Sequence, residues 1–182
     1  MIFMIEMPIT EEDIRLAEEQ AMQHLPANIG RPHFQTDELR DKKIGKLGQI
    51  KFGQFLFSNS IEFIPQKSHS EPDKFDFKIK EKIADVKARR FDSGTPQDDW
   101  GMNYPAQQIS KDANCYVFLL ISLNEMKARL YGFLSKDGFK SKAVFRRKGE
   151  KVTEYFTVRN DMYEVKISDL IPIEKFKEFI LN

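Results

Sequence analysis

The sequence predicts an α/β chain in which a β-sheet is flanked by helices. Three observations carry that expectation. Apolar residues recur at helical spacing near the N-terminus, over residues 41–59 and at the C-terminus. Between those stretches, short segments alternate polar and apolar residues, as half-buried strands do. The length, 182 residues, is that of one ordinary domain and is enough to bury a substantial core. Sixteen phenylalanines make aromatic packing the expected filling of that core.

Taken in order, Thr10 precedes Glu11, Glu12 and Asp13, which marks a helix start with acids near the positive end of the dipole. That helix is expected over 10–24, ending before Pro26, with a role in packing or a dimer contact. A loop containing Gly30, Pro32 and His33 follows. A second helix is expected from Asp41 to about Asn59, with Ile44, Leu47, Gly48, Phe52 and Phe55 on one face. Lys51 interrupts this stripe, and either snorkels to solvent or points toward the acids described below. Ile61–Ile64 reads as a short strand before a polar loop. Phe91–Lys111 reads as a long loop of Gly, Pro, Asp and Gln with Trp100, Met102 and Tyr104 interspersed. Loops of that length are functional or mobile. This one either contacts substrate or is a lid whose aromatics pack on the domain. Strands follow near Tyr116–Ile121, Arg129–Leu134, Ala143–Arg147 and Tyr163–Ile167. Pro172 opens a last helix over 172–181, amphipathic through Ile173, Phe176, Phe179 and Ile180.

The most informative segment is Phe75-Asp-Phe-Lys-Ile-Lys-Glu-Lys-Ile-Ala-Asp-Val-Lys87. Lys74–Ile79 and Lys82–Ala88 alternate as strands. A two-residue turn at Lys80-Glu81 pairs Ile79 with Lys82 and sets Asp76 directly opposite Asp85. Opposed residues share a face with Cβ atoms roughly 4.5–5.5 Å apart. Alternation puts Lys87 on that face as well. Two carboxylates that close repel unless something positive lies between them. Two acids and a lysine on one patch can hold Mg²⁺ and a water, which makes a candidate hydrolytic site.

Acid-x-Lys triplets are common in a chain with 31% charged residues, and Asp41-Lys-Lys43, Glu125-Met-Lys127 and Glu164-Val-Lys166 are further cases. Context separates them. Asp41 begins a helix, Glu125 sits in a polar turn, and no acid lies on a strand paired immediately before Glu164. The plainer alternative for Asp76 and Asp85 is a solvated hairpin face, with Lys74, Lys78 and Lys82 around the acids.

The arrangement resembles the PD-(D/E)xK nuclease superfamily. Gly45-Lys-Leu-Gly48-Gln49 corresponds to a helix motif, Glu71-Pro-Asp-Lys-Phe-Asp76 to the first acidic element, and Asp85-Val-Lys87 to the acid-x-Lys element. Cys115–Ile121 and Ala128–Ser135 look like further core strands of small restriction-type members. The resemblance covers residues 42–135. It implies a restriction endonuclease-like central mixed β-sheet flanked by helices, within a single domain over 1–182. It also implies a Mg²⁺-dependent nuclease, with Mn²⁺ able to substitute, that hydrolyses phosphodiester bonds in DNA. Asp76 and Asp85 would ligate the metal through oxygens, the backbone carbonyl of Val86 would add a third ligand, and Lys87 would orient water or stabilise charge on the phosphate. Gln49 stands where the family often has Glu. A neutral amide can accept a hydrogen bond but contributes no charge, so a second metal would be held less tightly, or Gln49 would only support the site. Gln49 and Arg89, the latter two residues beyond Lys87 on the same face, are the candidate nucleic-acid contacts. The departure at Gln49 keeps an alternative open: a catalytically inactive nuclease-like module that binds nucleic acid or protein.

Composition narrows the partners. Lys plus Arg total 29 against 28 Asp plus Glu, so nucleic-acid contact must come from local clusters such as Lys42-Lys43, Lys87 to Arg90 and Arg146-Arg-Lys148. One cysteine, Cys115, excludes an intramolecular disulfide and a cysteine-based zinc site and reads as a small buried residue. No apolar run approaches the roughly 20 residues of a membrane span, and Met1-Ile-Phe-Met-Ile-Glu lacks a charged leader. The expectation is a cytoplasmic protein with no membrane partner. A nuclease cutting both strands can act as a homodimer, though no residue here signals one. No phosphate-cradling glycine loop or nucleophile elbow is present, and His24, His33 and His69 are too dispersed to suggest a metal site.

Overall fold

A capping box fixes the first helix. Thr10 Oγ1 accepts a hydrogen bond from the Asp13 N–H (3.2 Å), while the Thr10 N–H donates back to Asp13 Oδ2 (2.7 Å). The computed structural model describes residues 4–23, 32–65, 75–109, 112–154 and 156–181, with the backbone alone for 32–38. Gly30, His24, His69 and Glu71 to Lys74 lie outside the described residues, as does the side chain of His33.

In chain order the elements are β1 (Ile5–Pro8), α1 (Glu11–Gln23), α2 (Pro32–Ser58), β2 (Ile64–Pro65), β3 (Phe77–Ile79) and β4 (Lys82–Arg90). There follow β5 (Gly101–Pro105), β6 (Cys115–Ser122), β7 (Lys127–Ser135), α3 (Lys136–Lys142), β8 (Val144–Arg146), β9 (Met162–Lys166), β10 (Ile171–Pro172) and α4 (Phe176–Leu181). Several differ from the sequence expectation. Among the described residues helix α2 already includes Pro32, well before Asp41. The Ile61–Ile64 strand is reduced to Ile64–Pro65. Pro172 lies in β10, paired with Gly132, so the last helix starts later, at Phe176. Helix α3 was not expected; Ser135 caps it, its Oγ accepting from the Gly138 N–H.

The main sheet runs β1-β7-β6-β4-β3-β2, with β10 also on β7. Only β4 and β6 are parallel, so the sheet is mixed. A parallel pair needs a crossover of a dozen or more residues. Here residues 91–114 supply it, and they are not a bare loop: β5 lies within them and forms a second, antiparallel sheet in the order β5-β9-β8.

Each face of the main sheet has its own cover. Ala84, Val86, Phe77 and Ile79 meet Phe52, Phe55 and Leu56 of α2 and Phe176 and Ile180 of α4. On the opposite face Tyr116, Phe118 and Leu120 of β6 pack against Met102 and Tyr104 of β5, Val165 of β9 and Phe139 of α3. Strand β6, between the layers, is buried at every position. The molecule is thus mixed α/β, a mixed sheet flanked by helices. Helix α2 sits close to β4 because residue 48 is glycine: a Cβ there would lie 2.5 Å from the Ala88 Cβ.

Lys51 neither snorkels nor points toward the hairpin acids. It is buried and donates to Asp13 Oδ2 at 2.5 Å and to Gln54 Oε1 at 2.9 Å, which fastens α2 to α1. Cys115 is fully buried at the start of β6. Among the described residues no helix is long and apolar enough to cross a membrane.

Candidate functional site

The hairpin forms with the expected turn. Lys80 adopts a positive φ of 52°, and the ladder pairs Ile79 with Lys82, Lys78 with Ile83 and Phe77 with Ala84. There it stops. Asp76 does not pair with Asp85 across the ladder; it lies in a bend one residue beyond the last pair. The reason is a competing hydrogen bond. Where β3 leaves, the Val86 N–H would lack a strand partner, and Asp76 Oδ2 accepts it at 2.6 Å. The carboxylate therefore stands in for a missing strand. A residue's N–H and C=O point to the same edge of an extended strand, so the Val86 carbonyl also points to this opening.

Gln49, projecting from α2, donates from Nε2 to Asp76 Oδ1 at 2.7 Å. Its own Oε1 accepts from Lys46 Nζ at 3.1 Å. Lys46 thereby fixes which end of the amide faces the aspartate. The close contact at Gly48 sets the distance that makes this bond possible.

Asp85 is 1% exposed and Asp76 9% exposed, so the pair is not the solvated hairpin face of the plainer alternative. Lys87 Nζ lies 3.0 Å from Asp85 Oδ1 and 2.9 Å from Oδ2. It also sits over the Tyr104 ring, 5.0 Å from its centroid. Asp85 Oδ2, though near the ammonium, accepts no hydrogen bond of good geometry. Burial and the charge of Asp85 push the Asp76 carboxyl up to about 7, against the opposing pull of Lys87 and the Val86 N–H. Burial, and then Asp85, also hold the Tyr104 hydroxyl protonated well above its ordinary range, and that hydroxyl donates to the Gln108 carbonyl at 2.9 Å.

The structure therefore brings Asp76, Asp85, Val86, Lys87 and Gln49 together. Arg89 lies further along the same face of β4, where its Nη1 donates to the Gly101 carbonyl at 2.5 Å. Lys82 is drawn away, its Nζ donating to the Phe179 carbonyl at 2.7 Å. Two neighbours escaped the sequence analysis. Tyr104 was placed in a loop, although Trp100, Met102 and Tyr104 alternate with period two and could have marked a strand. Lys46 stands one helical turn before Gln49 at the spacing that lets helix side chains meet.

As a cation site this set is small. Among the described residues no cluster of three or more His, Cys, Asp or Glu is present. Two carboxylates and a backbone carbonyl remain, oxygen donors of the kind a hard divalent ion takes, while the Gln49 oxygen faces Lys46 instead. Two buried carboxyls beside a single ammonium, the Asp76 carboxyl holding its proton up to about 7 because of burial and Asp85, form a position where a divalent cation can take the place of that proton. In comparison with known proteins, neither a family model nor a curated sequence matches the chain.

Proposed function

We propose that this chain is a Mg²⁺-dependent nuclease with a restriction endonuclease-like fold that hydrolyses phosphodiester bonds in DNA. The observation that carries the reading is the buried pair Asp76 and Asp85, under-neutralised by one lysine, at the point where β3 parts from β4. Burying carboxylates without full compensation costs stability, and such strained polar clusters gather at functional sites. Asp76, Asp85 and the Val86 carbonyl would hold Mg²⁺ or Mn²⁺. The ion, when bound, would polarise a phosphate and lower the pKa of a water. Lys87, anchored on Tyr104, would orient a water or meet charge developing on the phosphate. Gln49 holds Asp76 in place without adding charge, and Arg89 would exchange the Gly101 carbonyl for a neighbouring phosphate.

Cleavage of plasmid, linear and single-stranded DNA in Mg²⁺ tests this directly. Asp85→Ala is expected to lower the rate by at least about a thousandfold, on the order of 4 kcal/mol of barrier, with an unchanged circular dichroism spectrum. Cleavage at the parent rate would remove Asp85 from the mechanism.

A second reading has one specific support: Gln49 and Lys87 already provide donors to both aspartates. On that reading the domain binds nucleic acid or protein without cutting. Calorimetric titration with Mn²⁺ separates the two, since the nuclease reading requires binding that disappears in Asp76→Ala.

A further inference from the structure

Three aromatic residues lie in one cross-strand row of the second sheet. Phe145 of β8 stands opposite Tyr163 of β9, and Tyr163 stands opposite Tyr104 of β5. Directly opposed residues share a face, so the row runs from the sheet's edge to the candidate site. Burial grades along it: Tyr104 is 0% exposed, Tyr163 is partly buried and Phe145 is 44% exposed. The Phe145 and Tyr163 rings are 5.3 Å apart and tilted, and Phe139 bridges Tyr163 to Tyr104 from below, at 6.0 Å and 5.3 Å. At its inner end Tyr104 carries the Lys87 ammonium. With neighbouring strands roughly 4.8 Å apart, Phe145 is about 10 Å across the sheet from Tyr104.

The exposed end is also cationic. Arg147 and Lys148 follow β8 directly, are exposed, and form no salt bridge among the described residues. Arg146, between them and Phe145, is instead committed to Glu150 and Glu164. Glu150 and Asp161 lie close by, accepting from the Arg147 and Lys148 N–H groups, and the Arg147 charge acts on Glu150, but neither cationic side chain is held in a salt bridge among the described residues. An exposed ring beside two exposed cationic side chains matches the surface that holds single strands, in which bases stack on aromatics and phosphates meet basic side chains. A duplex hides its base faces and cannot use the ring.

We propose that Phe145, Arg147 and Lys148 form a stacking platform for single-stranded nucleic acid at the exposed end of the row whose buried inner end, Tyr104, carries Lys87. This rests on the nuclease reading for what happens at the inner end, but not for binding itself. It gives the substrate class: a single strand or an unpaired end, not an intact duplex.

The test uses the full chain in chelator, so that nothing is cut, and fluorescence anisotropy at low salt with labelled oligo-dT, oligo-rU and a duplex. The parent is expected to prefer the single strands. Phe145→Ala is expected to weaken that binding about tenfold and Phe145→Trp to preserve it. Arg147→Glu with Lys148→Glu is expected to weaken binding and flatten its salt dependence. Equal binding of duplex and single strand, or parent affinity in Phe145→Ala, would overturn the platform. So would a Phe145→Ala variant that dissociates a dimer and leaves oligonucleotide affinity unchanged, because the edge would then serve a second copy of the chain. Asp85→Ala should retain oligonucleotide affinity. If no form of the protein cuts and the Phe145 effect is present, the platform stands and the nuclease reading falls. If Asp85→Ala abolishes cutting and Phe145 has no effect, the reverse holds.

Discussion

Two buried acid–lysine groups flank helix α2 and are built on opposite terms. On one side Asp13 receives Lys51 Nζ at 2.5 Å, Gln54 Nε2 at 2.8 Å, and both the N–H and the hydroxyl of Thr10 at 2.7 Å. On the other, Asp76 receives only the Val86 N–H and Gln49 Nε2, neither of them charged, and one ammonium, Lys87, lies against Asp85, whose Oδ2 has no hydrogen bond of good geometry. Burial raises the Asp13 carboxyl, but the bonds from Lys51, Thr10 and Gln54 outweigh it and bring it down to about 2. Burial and a like charge take Asp76 the other way, to about 7. Burial alone therefore does not decide what a carboxylate does; the number of donors aimed at it does. The first group is a fastening between helices. The second retains unspent anionic capacity.

The largest effect that would break this contrast is expected at Asp13. Asp13→Ala leaves Lys51, only 2% exposed, without a counter-charge, and should cost about 3–5 kcal/mol in urea unfolding. Adding Lys51→Met should restore most of it, and failure of that rescue would mean the pair is not the fastening described.

Next comes the opposite sign at Asp76. Its folded value, about 7, lies above the ordinary 3.8, so stability contributed by this group is present below about pH 4 and is lost as pH rises toward 7. Asp13, held below 3.8, gives stability above that value and loses it as pH falls toward 2. Asp76→Asn should therefore stabilise the protein at pH 8 by on the order of 2 kcal/mol, part of the roughly 4 kcal/mol that a shift of this size allows. The gain should vanish near pH 4. The amide can still accept from the Val86 N–H, but its NH₂ then meets the Gln49 Nε2 that Lys46 holds in place, which limits the gain to part of the full shift. A destabilised Asp76→Asn at pH 8 would contradict the strain assigned to this pair.

Smallest is Thr10→Ala, which removes the cap and one donor to Asp13 and should lower stability by about 1 kcal/mol. Its effect should shrink but not vanish on an Asp13→Ala background, because the hydroxyl's bond to the carboxylate is lost while its bond from the backbone N–H of residue 13 remains.

What was readable in advance follows the same division between local and long-range causes. The turn at Lys80-Glu81 and the Ile79–Lys82 register were legible because alternation on both sides of two polar residues leaves little choice. The convergence of Asp76, Asp85 and Lys87 followed from that register. The route did not: that Asp76 would leave the ladder to cap Val86 depends on where β3 ends, which side-chain pattern does not encode. Lys51 was ambiguous because its partner lies 38 positions away in α1. Strand β5 was hidden by its flanks, where Gly94, Pro96 and Gly101 read as loop, while Met102 and Tyr104 form a strand with β9, from the far end of the chain, and are buried against β6 and Phe139. Gln49 could be singled out only through the family resemblance, since nothing in its own neighbourhood predicts a bond to Asp76.

Gln49 and Lys51 are two positions apart on one rigid rod, and each is tied to a different neighbour. Any tilt that loosens Lys51 must also swing Gln49 off its aspartate. Helix α1, which supplies no chemistry, thus acts as the distant end of a lever whose near end rests on the hairpin. Changes at α1 that look remote should register in the proposed ion's affinity, read by Mn²⁺ titration, before they register as unfolding.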